Sequence, residues 1–277
     1  MKGAHASVKV MTFNLRRDKA SDGENGWEQR RHAAAEVIRR HAPDLVGTQE
    51  GLPGQVGYLE SHFPEYGFLG EARFGGRNDE FNAILYRKDR FKVLGTGNFW
   101  LSDTPDVPGS RTWGNLVPRM ATWARFMDKD TGNVFHHLNT HLDHLVPRAR
   151  KLGALLIQKR LPQDVPVLMT GDFNALQQGG TYRYLTRAAG LTDSRWACAT
   201  PVESRWNATF HHFTGRGLYR IDYVLGRHLA RYSDYQVVRD RVEGKLPSDH
   251  FPVVAQVDVP AMTRSLTPSA PATRATA

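Results

Sequence analysis

Strand-like apolar runs in this chain keep ending in carboxylates, amides or histidines that a core strand has no use for. They are Phe13-Asn14, Thr48-Gln49-Glu50, Asn139-Thr140-His141, Gly171-Asp172-Phe173-Asn174, Arg220-Ile221-Asp222 and Ser248-Asp249-His250. Strand ends in an α/β sheet converge on one rim, so six distant segments can line one acidic pocket. Such a chain has to build strands whose cores are apolar and whose tips are polar, which excludes coiled coils, collagen and most disordered architectures.

The elements between these tips support that reading. Val8 to Leu15 is a strand, and Trp27 to Arg40 is a helix with Ala34, Val37 and Ile38 on one face, stopped by Pro43. Asp44 to Gln49 is a strand and Pro53 to Phe63 a helix. Strands follow at Tyr66 to Leu69, Phe81 to Tyr86, Phe91 to Leu101, Thr122 to Met127 and Val134 to Thr140. An amphipathic helix covers Arg148 to Arg160, a strand Val165 to Thr170, and a short helix Thr181 to Ala189 stops at Gly190. Strands return at Arg220 to Leu225, Tyr232 to Val238 and Pro252 to Val259. Between strands, Ser102 to Arg119 is a long loop of the kind that often carries function.

With 277 residues, one large domain over residues 1–260 is the simplest organisation, followed by a tail, 261–277, rich in Thr, Ala, Pro and Ser and expected to be disordered. The single cysteine, Cys198, provides neither a disulfide framework nor a thiolate zinc site, which favours a reducing compartment. Met1 to Ser7 is too short and polar for a signal peptide, and no apolar run approaches the roughly 20 residues that span a bilayer. A cytoplasmic, monomeric protein with no membrane partner is expected. Lys and Arg exceed Asp and Glu by 37 to 28, a net charge of +9, which attracts anions such as phosphates or nucleic acid but equally suits a solvated surface.

Oxygen ligands without clustered thiolates suit Mg²⁺ or Mn²⁺, and zinc through the histidines less well. Each residue has an ordinary alternative. Glu50 can serve as an acid at the start of the next helix, Asp172 and Asn174 as turn residues, and His141, His144 and His250 as satisfied structural histidines. Their joint order along one chain is what chance does not supply. Trp27, Trp100, Trp113 and Trp206 are candidates for stacking a base or sugar, although tryptophan more often packs in a core.

These residues resemble the endonuclease/exonuclease/phosphatase superfamily, the DNase I-like phosphoesterases. The similarity is carried by Thr12-Phe13-Asn14-Leu15-Arg16, Gln49-Glu50, Asn139-Thr140-His141-Leu142-Asp143-His144, Thr170-Gly171-Asp172-Phe173-Asn174-Ala175, Arg220-Ile221-Asp222-Tyr223 and Ser248-Asp249-His250-Phe251-Pro252, over roughly residues 8–258. Asp79 to Phe91, Phe99 to Pro105 and Pro118 to Trp123 are similar to a bacterial subgroup of metal-dependent hydrolases. The resemblance implies a four-layer α/β sandwich of two packed mixed β-sheets flanked by helices, with the active site at one edge. It implies that Glu50 is the main metal carboxylate, helped by Asn14 and Asp249, and that Asp172 and Asn174 position water and phosphate, with Asp172 a candidate general base. His250, oriented by Asp222, would contact the scissile phosphate, and His141 would stabilise charge on the phosphate or leaving group. Glu80 and Asn82 would lie beside the catalytic edge, and Arg119 would meet phosphate or make a structural ion pair.

Arg16 stands where the abasic-site repair branch carries an acidic residue, and a histidine motif stands where that branch has a catalytic tyrosine. The implied reaction is Mg²⁺- or Mn²⁺-dependent hydrolysis of a phosphate mono- or diester, with nucleic acid or nucleotide as the expected substrate. A sugar or lipid-derived phosphate, or a catalytically silent nucleic-acid binder, are the alternatives.

Overall fold

The computed structural model describes residues 5–198 and 207–261. Trp206 and all but the first residue of the expected disordered tail lie outside that range. The chain runs β1 (Ala6–Asn14), α1 (Trp27–His41), β2 (Leu45–Gly51), α2 (Pro53–His62), β3 (Tyr66–Leu69), β4 (Phe81–Arg87), β5 (Phe91–Trp100), β6 (Met120–Asp128), β7 (Val134–His141) and α3 (Pro147–Arg160). It continues through β8 (Val167–Asp172), α4 (Gly180–Arg183), β9 (Thr192–Asp193), α5 (Ser194–Ala197), β10 (Asp222–Arg227), β11 (Arg231–Val237) and β12 (Val253–Val259).

Two six-stranded sheets form, in the orders β11-β12-β1-β2-β4-β3 and β5-β6-β7-β8-β10-β9. Both are mixed: β1 with β2 and β7 with β8 are parallel, and the other pairs are antiparallel. Three apolar clusters fill the three spaces of a four-layer sandwich. Between the sheets lie Val8, Val10, Leu45, Phe126, Phe135, Leu168 and Val224. Under α1 and α2, Ala34, Val37, Ile38, Val56 and Leu59 meet Met11, Phe13 and Val46. Under α3, Ala154 and Ile157 meet Leu138, Met169 and Tyr223. Burying each large side chain contributes about 1.5–3 kcal/mol.

The two-residue period of a strand explains the polar tips. The residues of β1 that face the other sheet read Val8, Val10, Thr12, Asn14; in β7 they read Phe135, His137, Asn139, His141; in β8, Leu168, Thr170, Asp172. Each inner face passes from apolar to polar toward the same edge of the sandwich. Midway, the side chains bond across the sheets. Asn139 Nδ2 donates to the carbonyls of Thr48 and Ala83 at 2.8 and 3.0 Å, while its Oδ1 accepts from Gln49 Nε2 at 2.8 Å and Thr170 Oγ1 at 3.0 Å. Gln49 and Asn139, grouped with the rim residues in the sequence, are therefore fully buried ties between sheets.

The helix expected over Thr181–Ala189 starts one residue earlier and widens after Arg183 into a π-helical turn, Tyr184–Ala188. There the Ala189 N–H reaches back five residues to Tyr184 O, and Gly190 follows at φ +67°. A 3₁₀ segment at Ala20–Asn25 and the short elements β9 and α5 carry no periodic signal in the sequence.

Candidate active site

Register brings the central residues together. Asp172 ends β8 directly opposite Asp222 of antiparallel β10 and beside His141 of parallel β7, so three neighbouring strands present one polar row. Its glycine neighbour is obligatory, since a Cβ on Gly171 would sit 2.2 Å from Thr140 O. From the other sheet, Asn14 at the tip of β1 donates through Nδ2 to Glu50 Oε1 at 3.0 Å and Asp172 Oδ2 at 3.1 Å, while its Oδ1 accepts from the Arg16 N–H.

Glu50 reaches this row because the backbone turns. The β2–β4 register shifts between Thr48 and Gly51, and Glu50 takes φ +64°. A left-handed non-glycine residue costs about 1–2 kcal/mol, a strain typical of functional positions. Arg16 and Asn174 at the same edge also have positive φ, 51° and 45°. Asn174 N donates to Asp172 Oδ1 at 2.9 Å, so the turn role open to Asp172 in the sequence is real and coexists with its place in the site.

His250 Nδ1 lies 2.9 Å from Asp222 Oδ2, and its Nε2 lies 3.9 Å from Asp172 Oδ2; His141 Nε2 is 3.6 Å from the same oxygen. Burial lowers the His250 imidazole, but the Asp222 carboxylate outweighs it and raises it to about 10. Burial and then Asp222 push Asp172 up to about 7. Burial followed by the charge of Arg119 holds His141 well below 6.5, as a neutral ring. Burial raises Asp249 as well. For Glu50, burial works upward, but the Asn14 hydrogen bond and His250 prevail and keep it below the usual carboxylate range.

Glu50, His141 and Asp172 each offer a ligand atom, all within 4.8 Å of one another. Asp172 is buried against Asp222 and Glu50, and a divalent cation would offset the carboxylate charge gathered there. The donor set therefore fits a hard metal ion of the Mg²⁺ or Mn²⁺ kind.

A cavity of about 590 Å³ opens over this row. Of the residues singled out in the sequence, Glu50, Glu80, Arg119, His141, Asp172, Asn174, Asp249 and His250 line it. Asp249 stands on the side of Arg16, 3.6 Å from its Nη1. Asp222 sits behind His250, and Asn14 bridges carboxylates beneath the floor. Asn82 lines a small adjoining void and donates to Met120 O at 2.8 Å. Trp27, Trp100 and Trp113, candidates for stacking a base or sugar, are buried, and none lines this cavity. The aromatic wall is Phe210 and Tyr219, joined by Val117, Leu176 and Ile221.

Arg17 and Arg73 complete the basic side, each with a guanidinium nitrogen 2.7 Å from a Glu80 oxygen. Nothing local marks Arg17, whose partner is more than sixty residues away, whereas Arg73 pairs with Glu80 only seven residues on. Arg30, next to Arg31 in the sequence, is 1% exposed and donates to the carbonyls of Leu15, Arg16, Asn25 and Pro247. It fastens the segment carrying Asn14 to the one carrying Asp249.

A family model described as Endonuclease/Exonuclease/phosphatase family matches residues 11–250. A protein of that description from Bacteroides thetaiotaomicron superposes with a TM-score of 0.87 at 33% identity, covering 92% of this chain and 99% of the other. A mannosyl-6-phosphatase from the same organism gives 0.84 at 34% identity, covering 90% and 99%. Mouse tyrosyl-DNA phosphodiesterase 2 is 22% identical over 92% of this chain and 67% of its own.

Proposed function

Since the chain belongs to the endonuclease/exonuclease/phosphatase family, we propose that it is a Mg²⁺- or Mn²⁺-dependent phosphoesterase whose catalytic domain spans residues 1–260. The observation that carries this reading is the convergence of Glu50, His141, Asp172 and His250, from both sheets, on one cavity floor, with Asp222 fixed behind His250. Glu50, with Asn14 and Asp249 nearby and His141 or Asp172 completing the set, would hold the cation, which when bound neutralises phosphate charge and lowers the pKa of water.

The chain's own groups divide the remaining work. Asp172 aligns the attacking water and accepts its proton, with Asn174 beside it. His250, kept cationic by Asp222, donates from Nε2 to a phosphate oxygen as charge builds there. Neutral His141 donates a hydrogen bond to the phosphate or the leaving oxygen. This reading places the protein in the cytoplasm as a monomer.

Two substrate classes have specific support. The net charge of +9 favours nucleic acid or nucleotide. The concave cavity and a 34%-identical relative that is a mannosyl-6-phosphatase favour a sugar phosphate. Hydrolysis of p-nitrophenyl phosphate, bis-p-nitrophenyl phosphate, sugar phosphates and single-stranded oligonucleotides, with Mg²⁺, Mn²⁺ or EDTA, tests the reading. Metal-dependent turnover that Asp172→Asn and His250→Ala each depress by orders of magnitude is expected. Folded protein without such turnover on any ester would instead support a silent binder.

A further inference from the structure

We propose that Arg119, backed by His144, is an anion subsite that makes this pocket select phosphate monoesters over diesters; the proposal rests on the phosphoesterase reading above. Arg119 ends the long loop that precedes β6 and is 6% exposed, yet it lines both the main cavity and the adjoining void beside Glu50 and His141. Its Nη2 donates to His144 Nδ1 at 2.8 Å, and its buried Nε has no hydrogen-bond partner. Among the described residues, the one carboxylate within ion-pair range is Asp143, whose Oδ2 is 3.9 Å from Nε.

The neighbouring guanidinium groups differ. Arg17 and Arg73 are each in direct contact with Glu80, so that carboxylate is already engaged twice. Arg119 has its nearest carboxylate only at 3.9 Å, with Glu80 and Glu50 acting on it from farther away, and a buried cation without a close counter-charge is costly unless a ligand completes it. His144 accepts through Nδ1, so its ring is neutral, with the proton on Nε2. It contributes a second donor to the same wall and no competing charge.

The chemistry of the two ester classes then decides. Near neutral pH a monoester is largely dianionic and has three terminal oxygens, whereas a diester is a monoanion with two. The metal-holding side and His250 can satisfy two oxygens. The planar Arg119 fork suits a third, charged oxygen, and in a diester that position carries the second substituent.

The test compares wild type, Arg119→Met, Arg119→Lys and His144→Ala on p-nitrophenyl phosphate and bis-p-nitrophenyl phosphate with Mn²⁺. Orthophosphate binding is measured separately by calorimetry in EDTA. Wild type should prefer the monoester. Arg119→Met should lose about 100-fold in kcat/KM on the monoester and a much smaller factor on the diester, with Arg119→Lys recovering part of the loss. Its orthophosphate affinity should fall at least about tenfold. His144→Ala, which keeps the charge but frees its fork, should lose less than Arg119→Met and in the same direction. A wild-type preference for the diester, equal losses on the two esters, or an unaltered orthophosphate isotherm would each overturn the subsite while leaving a metal-dependent phosphoesterase standing. Absence of metal-dependent hydrolysis of both esters by wild type would sink the underlying reading, and the orthophosphate isotherm would still report on Arg119.

Discussion

Replacing Gly47 with alanine should damage this protein far more than adding one methyl group suggests. Gly47 lies in β2 facing the second sheet, and a Cβ there would come within 2.2 Å of Thr170 Oγ1 and 2.5 Å of Asn139 Oδ1. Both atoms belong to the buried polar ties between sheets, so neither can yield cheaply. Asn139 makes four hydrogen bonds, and Thr170 Oγ1 also meets His137 Nε2 at 3.0 Å. Overpacking costs about 1–3 kcal/mol, and each buried polar group left without a partner about 1–3 kcal/mol more. With one orphaned group the total is about 2–6 kcal/mol. Urea unfolding followed by tryptophan fluorescence reads this as a lower midpoint at constant slope. Gly57→Ala is the control: its Cβ meets nothing within 4 Å on the exposed face of α2, and the helix should gain up to about 1 kcal/mol. A Gly47→Ala protein within about 0.5 kcal/mol of wild type would refute the claim that the sheets are locked by this network.

Three further outcomes follow from the same geometry. Asp222→Asn removes the carboxylate that holds His250 near 10, so His250 loses its proton at ordinary pH; kcat should fall about 100-fold, and further at pH 8 than at pH 6, and parallel pH profiles for variant and wild type would contradict this. Burial, aided by His136, holds His137 at about 3 against 6.5 when exposed, so the unfolded chain takes up protons that the fold refuses as pH drops below 6.5. Stability is lost across that window, by about 2 kcal/mol at pH 5 from this residue, and His137→Asn should flatten the pH dependence of the unfolding free energy by that amount; an unchanged slope would exclude it. Glu50→Gln should weaken the calorimetric Mn²⁺ isotherm at least about tenfold, and an isotherm like that of wild type would remove Glu50 from the metal site.

The order of the main elements and the gathering of polar tips at one edge were legible in the sequence. They depend on local pattern: a two-residue period, helix stops at Pro43 and Gly190, and the residue types at strand ends. That information survives in one dimension because the backbone repeat itself sorts neighbouring side chains onto opposite faces. Which polar tips face the cavity and which bind the sheets together was decided by tertiary structure alone. Glu50 turns into the site through a left-handed residue at a register shift, while Gln49 next to it is buried as a tie. Arg17, Arg73 and Arg119 look alike in sequence, yet two contact Glu80 at 2.7 Å and the third has its nearest carboxylate, Asp143, only at 3.9 Å. For Arg17 and Arg119 the difference lies in contacts with residues 63 and 25 positions away, and charge and burial there are set by what the fold brings near, which no local spacing encodes.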